Sequence, residues 1–292
     1  MDYIISSEST MDINIDYLDE LEVSAINSNY QIDGKIFLDD FAQTLDMKSF
    51  YTKMQKGAMT STSAINIEEY LTYFRPILEE GHDIIHICLS SGISVQFNFL
   101  EEAVEILKKE FPDRKIYPVD SLMASSGIAL LVSKLVDLRN KGMDIDSLYK
   151  RVMENKRNVI GLVTNEDLRY LARGGRISKT AANLGGILHI NPLITVDDNG
   201  KLQVISKIRT RKKYLKTLIN KIESNSIDGG NYSDNIFISH ANNEKFAIEA
   251  KSLMEDKFKN AKINIFSMGP TIGSHIGPGA LAVFHRGKKR QG

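Results

Sequence analysis

The sequence predicts two α/β domains, the first with a mainly parallel sheet and the second with a mixed sheet, and three observations lead there. The chain has 292 residues, 42% hydrophobic and 25% charged, which is enough for a sizeable core and long for a single one. Between residues 83 and 140, apolar strand-like runs alternate with helical ones, the pattern of parallel strands with helices packed on them. Further on, "PLITVDDNGKLQVISKIR" reads as a hairpin turning at Asn199-Gly200, so the second sheet contains antiparallel neighbours. The boundary is placed near residue 155, giving domains 1–155 and 156–292.

In order along the chain, "YIISSES" is a short strand, and "SAINSNYQIDGKIFLDD" alternates around Asp33-Gly34, a dipeptide suited to a hairpin turn. A helix near Phe41 to Gln55 is followed by the hydroxyl cluster "TSTS", read as a loop, and by the amphipathic helix "IEEYLTYFRPILEE". The alternating part then runs as strand "DIIHICLSSG", helix "QFNFLEEAVEILKKEF", strand "KIYPVDSL" and helix "SSGIALLVSKLVDLRNKG", which closes on a glycine. After a helix near Asp144 to Lys156 come the strand "NVIGLVT", the irregular stretch "LRYLARGGRISKTAANLGGILHINP" and the hairpin. The helix "RKKYLKTLINKIE", the strand "NIFISHAN", a helix near Glu244 to Phe258, and the strand pair "KINIFSMGP" and "GALAVFH" complete the second set. The tail "RGKKRQG" reads as a solvated terminus.

Several function classes recede at once. Lys plus Arg and Asp plus Glu are both 37, so no basic field advertises nucleic acid. The single cysteine, Cys88, lies in an apolar run and reads as a small buried hydrophobe in a reducing compartment. No basic start leads into an apolar stretch, and no 18 apolar residues follow one another, so a cytoplasmic protein without an integral membrane segment is expected. No glycine loop ends in Gly-Lys-Ser or Gly-Lys-Thr, and "GSHIGPG" has neither the spacing nor the following helix of a dinucleotide site. His82 and His86 flank a strand-like run and lack the glutamate of a zinc-protease helix, so neither metal nor cofactor is expected.

What remains is a set of neutral donors at strand ends, where loops and backbone N–H groups gather around ligands. Thr60-Ser61, Ser90-Ser91-Gly92 and His275 with its Gly-Pro-Gly are three such loops. Taken singly, each serine reads as a turn or helix cap. Together they suit a carboxylate held by hydroxyls and backbone N–H groups rather than locked in an arginine fork. Apolar residues stand beside these loops in "GIALLVSKLV", in Phe97, Phe99 and Leu100, and in Leu184, Ile187, Leu188 and Ile190, although periodicity alone makes them core. No Gly-x-Ser-x-Gly elbow appears. A lipid or acyl-ester hydrolase, with Ser91 or Ser61 as nucleophile and His275 as base, stays open beside a binding role, as does a lipid buffer or sensor.

The same loops resemble, in order and over nearly the whole chain, those of the DegV-like fatty-acid-binding proteins of bacteria. "SESTMDI" is similar to the family's Asp-Ser-Thr strand end, with Glu8 where aspartate is usual. "TSTSAIN" resembles its Thr-Ser loop, with Thr62 and Ser63 in place of glutamine and proline. "LSSGISVQF", "DSLMASSG", "LARGGRIS" and above all "GPTIGSHIGPGAL" carry the rest. The resemblance implies one long-chain fatty acid between two α/β domains. It further implies that the chain is no enzyme itself and presents the carboxylate to a separate ATP-dependent fatty acid kinase subunit, which forms an acyl phosphate for phospholipid synthesis. By motif position, Thr60, Ser61, Ser91 and His275 would bind the carboxylate. Arg173 or Arg176 would meet the kinase partner, with Arg176 favoured.

Overall fold

Apolar strands, three of the four leading to a helix, build the first layer. The computed structural model describes residues 3–182 and 190–290. Strand β1 (Tyr3–Glu8) is followed by helix α1 (Ile15–Leu21), β2 (Ser24–Ile26), the hairpin β3 (Asn29–Ile32) and β4 (Lys35–Leu38), α2 (Met47–Gln55), and β5 (Thr60–Ser63). Then come α3 (Ile67–Glu79), β6 (Asp83–Cys88), α4 (Gln96–Glu110), β7 (Ile116–Asp120), α5 (Ser126–Asn140) and α6 (Ile145–Asn155). The sheet β2-β1-β6-β7 is parallel throughout. Alternation sorts β6 between two layers: Ile84 and Cys88 pack under α3 and α4, while Ile85 and Ile87 pack under α5. A sheet covered on both faces needs such unbroken apolar strands.

The remaining elements are β8 (Val159–Thr164), α7 (Arg169–Arg173), α8 (Lys179–Ala182), β9 (Ile190–Val196), β10 (Leu202–Arg209), α9 (Arg211–Asn225), β11 (Asn235–His240), α10 (Glu244–Lys257), β12 (Lys262–Ser267), α11 (Pro270–Ile276) and β13 (Leu281–Arg286). They form a mixed sheet, β10-β9-β8-β13-β11-β12, in which only β11 and β12 run parallel. The anticipated pair of β12 and β13 is therefore split, because β11 lies between them. One face of this sheet packs on α9 and α10. The other face joins α5 and the first sheet in a single apolar cluster. Helix α5 is buried around nearly its whole circumference, as a helix wedged between two sheets must be. The expected boundary near residue 155 falls between α6 and β8, while this cluster draws on both sides of it.

A third, small antiparallel sheet, β4-β3-β5, was not anticipated as such. Asp33 and Gly34 both have positive φ, 48° and 80°, the turn that the dipeptide predicts. The "TSTS" cluster is its third strand rather than a loop. Helix α1 and the short helices α7 and α8 were also unforeseen, the latter two within the stretch read as irregular; Leu184, Ile187 and Leu188 lie outside the described residues. The tail reading changes too. Arg290 is only 6% exposed, and its Nη1 donates to the carbonyls of Leu122 and Asp197, tying the β9–β10 hairpin to the end of the first sheet. The hairpin tip also accepts a hydrogen bond from Ser90 Oγ at Gly200 O, 2.9 Å. It approaches so closely that a Cβ at Gly92 would meet Asn199 O at 2.4 Å. Among the described residues no helix is long and apolar enough to cross a membrane.

Candidate functional site

Between the first sheet's strand ends and the inner face of the mixed sheet lies a cavity of about 530 Å³, a size typical of small-molecule sites. Its apolar wall is Val163, Val196, Leu202 and Phe284 from the mixed sheet, with Leu171 of α7 and Ile272 of α11. Its polar residues include Thr62 and Ser63 on β5, Ser91, Ser94 and Gln96 after β6, Ser125 at the start of α5, Arg176, and Thr271 and His275 on α11. Among the described residues, the apolar residues singled out from sequence are elsewhere. Leu100 is core under α3 with Phe97 and Phe99 packed beside it, and α5 is spent between the sheets.

Strand alternation decides which hydroxyl reaches the cavity. Thr62 and His275 come together, with Oγ1 and Nε2 2.7 Å apart. Thr60 is on the same face of β5 one row away, outside the cavity lining, and its Oγ1 is buried without a partner. Ser61 faces outward and donates to Gln31 Oε1 at 2.9 Å. Of the expected residues, Ser91 and His275 thus line the cavity, whereas Thr60 and Ser61 do not. Thr62 and Ser94 do, and both were missed. Ser94 Oγ accepts from Gln96 N, which leaves its proton free. The two-residue period of a strand would have pointed to Thr62 had "TSTS" been read as one.

Ser91 is exposed at the cavity edge, and its single hydroxyl proton is already engaged. It donates to Asp120 Oδ2 at 2.5 Å, while the Ser91 and Leu122 N–H groups hold Oδ1. No imidazole activates it. The one serine–imidazole bond among the described residues joins Ser6 Oγ to His86 Nδ1, 2.7 Å apart. Glu8 completes that set, with Oε1 3.5 Å from His86 Nε2. Burial raises the Glu8 carboxyl, and bonds from His86 and Tyr70 outweigh it, holding it at about 2. All three residues are fully buried within the parallel sheet, out of reach of any substrate. Cys88, beside them, is held well above the usual thiol range by burial and by Glu8.

The two arginines differ. Arg176 is turned inward, with Nε donating to Ile93 O at 3.0 Å and Nη1 to Gly174 O, and this burial lowers its pKa. Arg173 is exposed, stacked 5.1 Å over the Tyr170 ring. Of the two arginines expected to meet a partner, Arg173 is thus the more exposed and the favoured Arg176 the more buried. Tyr170 in turn leans on Gly277, where φ is +80° and a Cβ would come within 2.3 Å of the ring, so only glycine fits.

Helix α11 carries Ile272 and His275 to the cavity, and two buried carboxylates hold its start. Asp12 Oδ1 accepts from Gly269 N at 2.8 Å, Asp12 Oδ2 from Ser125 Oγ at 2.5 Å, and Asp39 Oδ2 from Thr271 N at 3.2 Å. Burial raises both carboxyls, Asp39 to about 6. At the other end, burial followed by the Arg176 and Arg173 charges pushes the His275 imidazole down to about 4. His275 is thus a neutral hydrogen-bonding group. Its ring is expected to show no NMR titration between pH 8 and pH 5. As a histidine whose folded pKa is depressed, it withdraws stability as pH falls below about 6.5 towards 4. A ring titrating near its ordinary value would refute this environment.

A polar end of hydroxyls, a neutral imidazole and one arginine, joined to an apolar cavity, can hold an amphiphile by an acidic head. The comparisons agree in kind. Residues 4–288 match the family model described as "Uncharacterised protein, DegV family". A DegV domain-containing protein of Clostridium perfringens is 32% identical over 289 residues, covering 99% of each chain. DegV, a fatty acid binding protein from Bacillus subtilis, is 26% identical, with 99% of this chain and 100% of that one aligned at a TM-score of 0.80. The Streptococcus pneumoniae Fatty Acid Kinase (Fak) B3 protein loaded with linoleic acid shares the fold, with 22% identity, 98% and 99% coverage and a TM-score of 0.83. With a family match over nearly its full length and a cavity of this make-up between its two main sheets, the chain belongs to the DegV family.

Proposed function

We propose that this protein binds one long-chain fatty acid in the cavity, carboxylate at Thr62, Ser94 and His275, and presents it in the cytoplasm to a separate ATP-dependent kinase subunit. In that reaction a carboxylate oxygen attacks the γ-phosphorus of ATP, ADP leaves, and the acyl phosphate formed passes to phospholipid synthesis. The observation that carries the reading is the cavity itself, whose neutral hydroxyls and imidazole stand at the end of an apolar wall. Neutral donors bind a carboxylate without neutralising it as a nucleophile. Arg176, close enough to depress His275, favours the ionised head group. Arg173, turned to solvent, is the better candidate for the partner.

Reconstitution with ATP and the kinase subunit from the same genome tests this. Thr62→Ala removes a donor to a charged group, a loss of about 1.5–3 kcal/mol, so fatty-acid affinity should fall roughly ten- to hundredfold and phosphorylation with it. Arg173→Ala should keep its fatty acid and be a poor substrate. If Thr62→Ala holds lipid as well as the parent while Arg173→Ala loses it, the two assignments are wrong.

A further inference from the structure

The small sheet has two faces with different surroundings. The row Phe37–Tyr30–Thr62 points inward, where Tyr30 is 2% exposed and Thr62 meets His275. The row Ile36–Gln31–Ser61 points outward, as does Leu38; Ile36 is 72% and Leu38 53% exposed. Among the described residues β4 pairs with β3 alone, and its other edge carries open backbone donors and acceptors. Met59, 61% exposed, stands at the head of β5, pinned through both its N–H and its C=O to Asp33, and its sulfur lies 4.0 Å from Arg173 Nη1.

Cations flank Met59 and the start of β4. Lys35 begins β4, Lys53 and Lys56 end α2 just before Met59, and Arg173 touches Met59. All four are exposed, and none makes an ion pair among the described residues. Folded proteins ordinarily blunt an edge strand with charge or cover it. Here Lys35 is the only charge on β4, whose outward side chains are otherwise Ile36 and Leu38.

We propose that β4 and the outer face of its sheet dock a protein with an acidic, strand-edged surface, which on the functional reading above is the ATP-dependent subunit. A partner strand satisfies the open edge, apolar side chains cover Ile36, Leu38 and Met59, and carboxylates meet the four cations. Hydrocarbon would leave the backbone groups of that edge unpaired, which disfavours a lipid surface. Pairing β4 with a second copy would bring two sets of unpaired cations together, which disfavours self-association. The site also suits the chemistry, because the strands that would bind the partner carry Thr62 on their other face.

The test uses the full, fatty-acid-loaded chain with the kinase subunit and ATP. Two variants are compared with the parent, Ile36→Ser/Leu38→Ser and Lys35→Glu/Lys56→Glu. Both are expected to keep full fatty-acid occupancy while the KM for the loaded protein rises about tenfold or more, with the parent's KM also rising with salt. Should the apolar pair fail to fold, the charge reversals, confined to exposed side chains, decide alone. Parental KM values in the variants overturn the proposal. So does loss of co-sedimentation with phosphatidylglycerol vesicles at unchanged KM, which would assign the face to lipid, or a dimer that the variants convert to monomer. A parent protein that holds fatty acid yet forms no acyl phosphate ends the kinase reading itself, and this docking with it.

Discussion

Palmitic acid is expected to bind about two hundred times more tightly than lauric acid, the acid four methylenes shorter. Each methylene moved from water into an apolar wall contributes about 0.8 kcal/mol, so four contribute about 3 kcal/mol, and about 1.4 kcal/mol is a tenfold change in affinity. The wall of Val163, Val196, Leu202, Ile272 and Phe284 offers no polar side chain to compete for that stretch of tail. Four methylenes alone thus match the most that one head-group hydrogen bond supplies, so the whole tail dominates affinity while the polar end sets orientation. Displacement of a fluorescent fatty acid, with both acids kept monomeric, measures the ratio. Equal affinities would mean that the tail does not enter this cavity.

Asp39→Asn is expected to stabilise the protein at pH 7.5 by up to about 3 kcal/mol, an advantage that vanishes by pH 4. Burial, opposed by its bonds to Thr271, raises the Asp39 carboxyl from 3.8 to about 6. The folded state therefore binds more protons than the unfolded one between those values. Stability falls as pH rises through them, and the penalty is fully present above the higher one. At about 1.36 kcal/mol per pKa unit the shift is worth about 3 kcal/mol for this fully buried group. Asparagine keeps an oxygen for Thr271 N and sheds the charge. Denaturant melts at the two pH values check it, and a substitution that destabilises equally at both would refute the raised carboxyl. Asp39 and Asp12 pin the start of α11, whose far end holds His275 against Thr62.

By itself, the sequence determined the two α/β layers, the parallel and mixed sheets, and the two hairpins at Asp33-Gly34 and Asn199-Gly200. Those features rest on local signals: apolar periodicity and turn dipeptides. Tertiary structure decided everything that depends on which neighbour a side chain meets. In "TSTS" four near-identical hydroxyls are told apart only by the pairing of β5 with β3, which turns Thr62 to the cavity and Ser61 to solvent. Arg173 and Arg176 sit three residues apart in one motif, yet the carbonyls of Ile93 and Gly174 capture one and leave the other free to face outward. Nothing local foretells the partners of Asp39, Asp120 or Arg290, even though Asp120 opens "DSLMASSG", because those partners lie 232, 29 and 168 residues away along the chain. Local propensity acts over a few residues, whereas such contacts exist only once the sheets have packed and brought distant segments together.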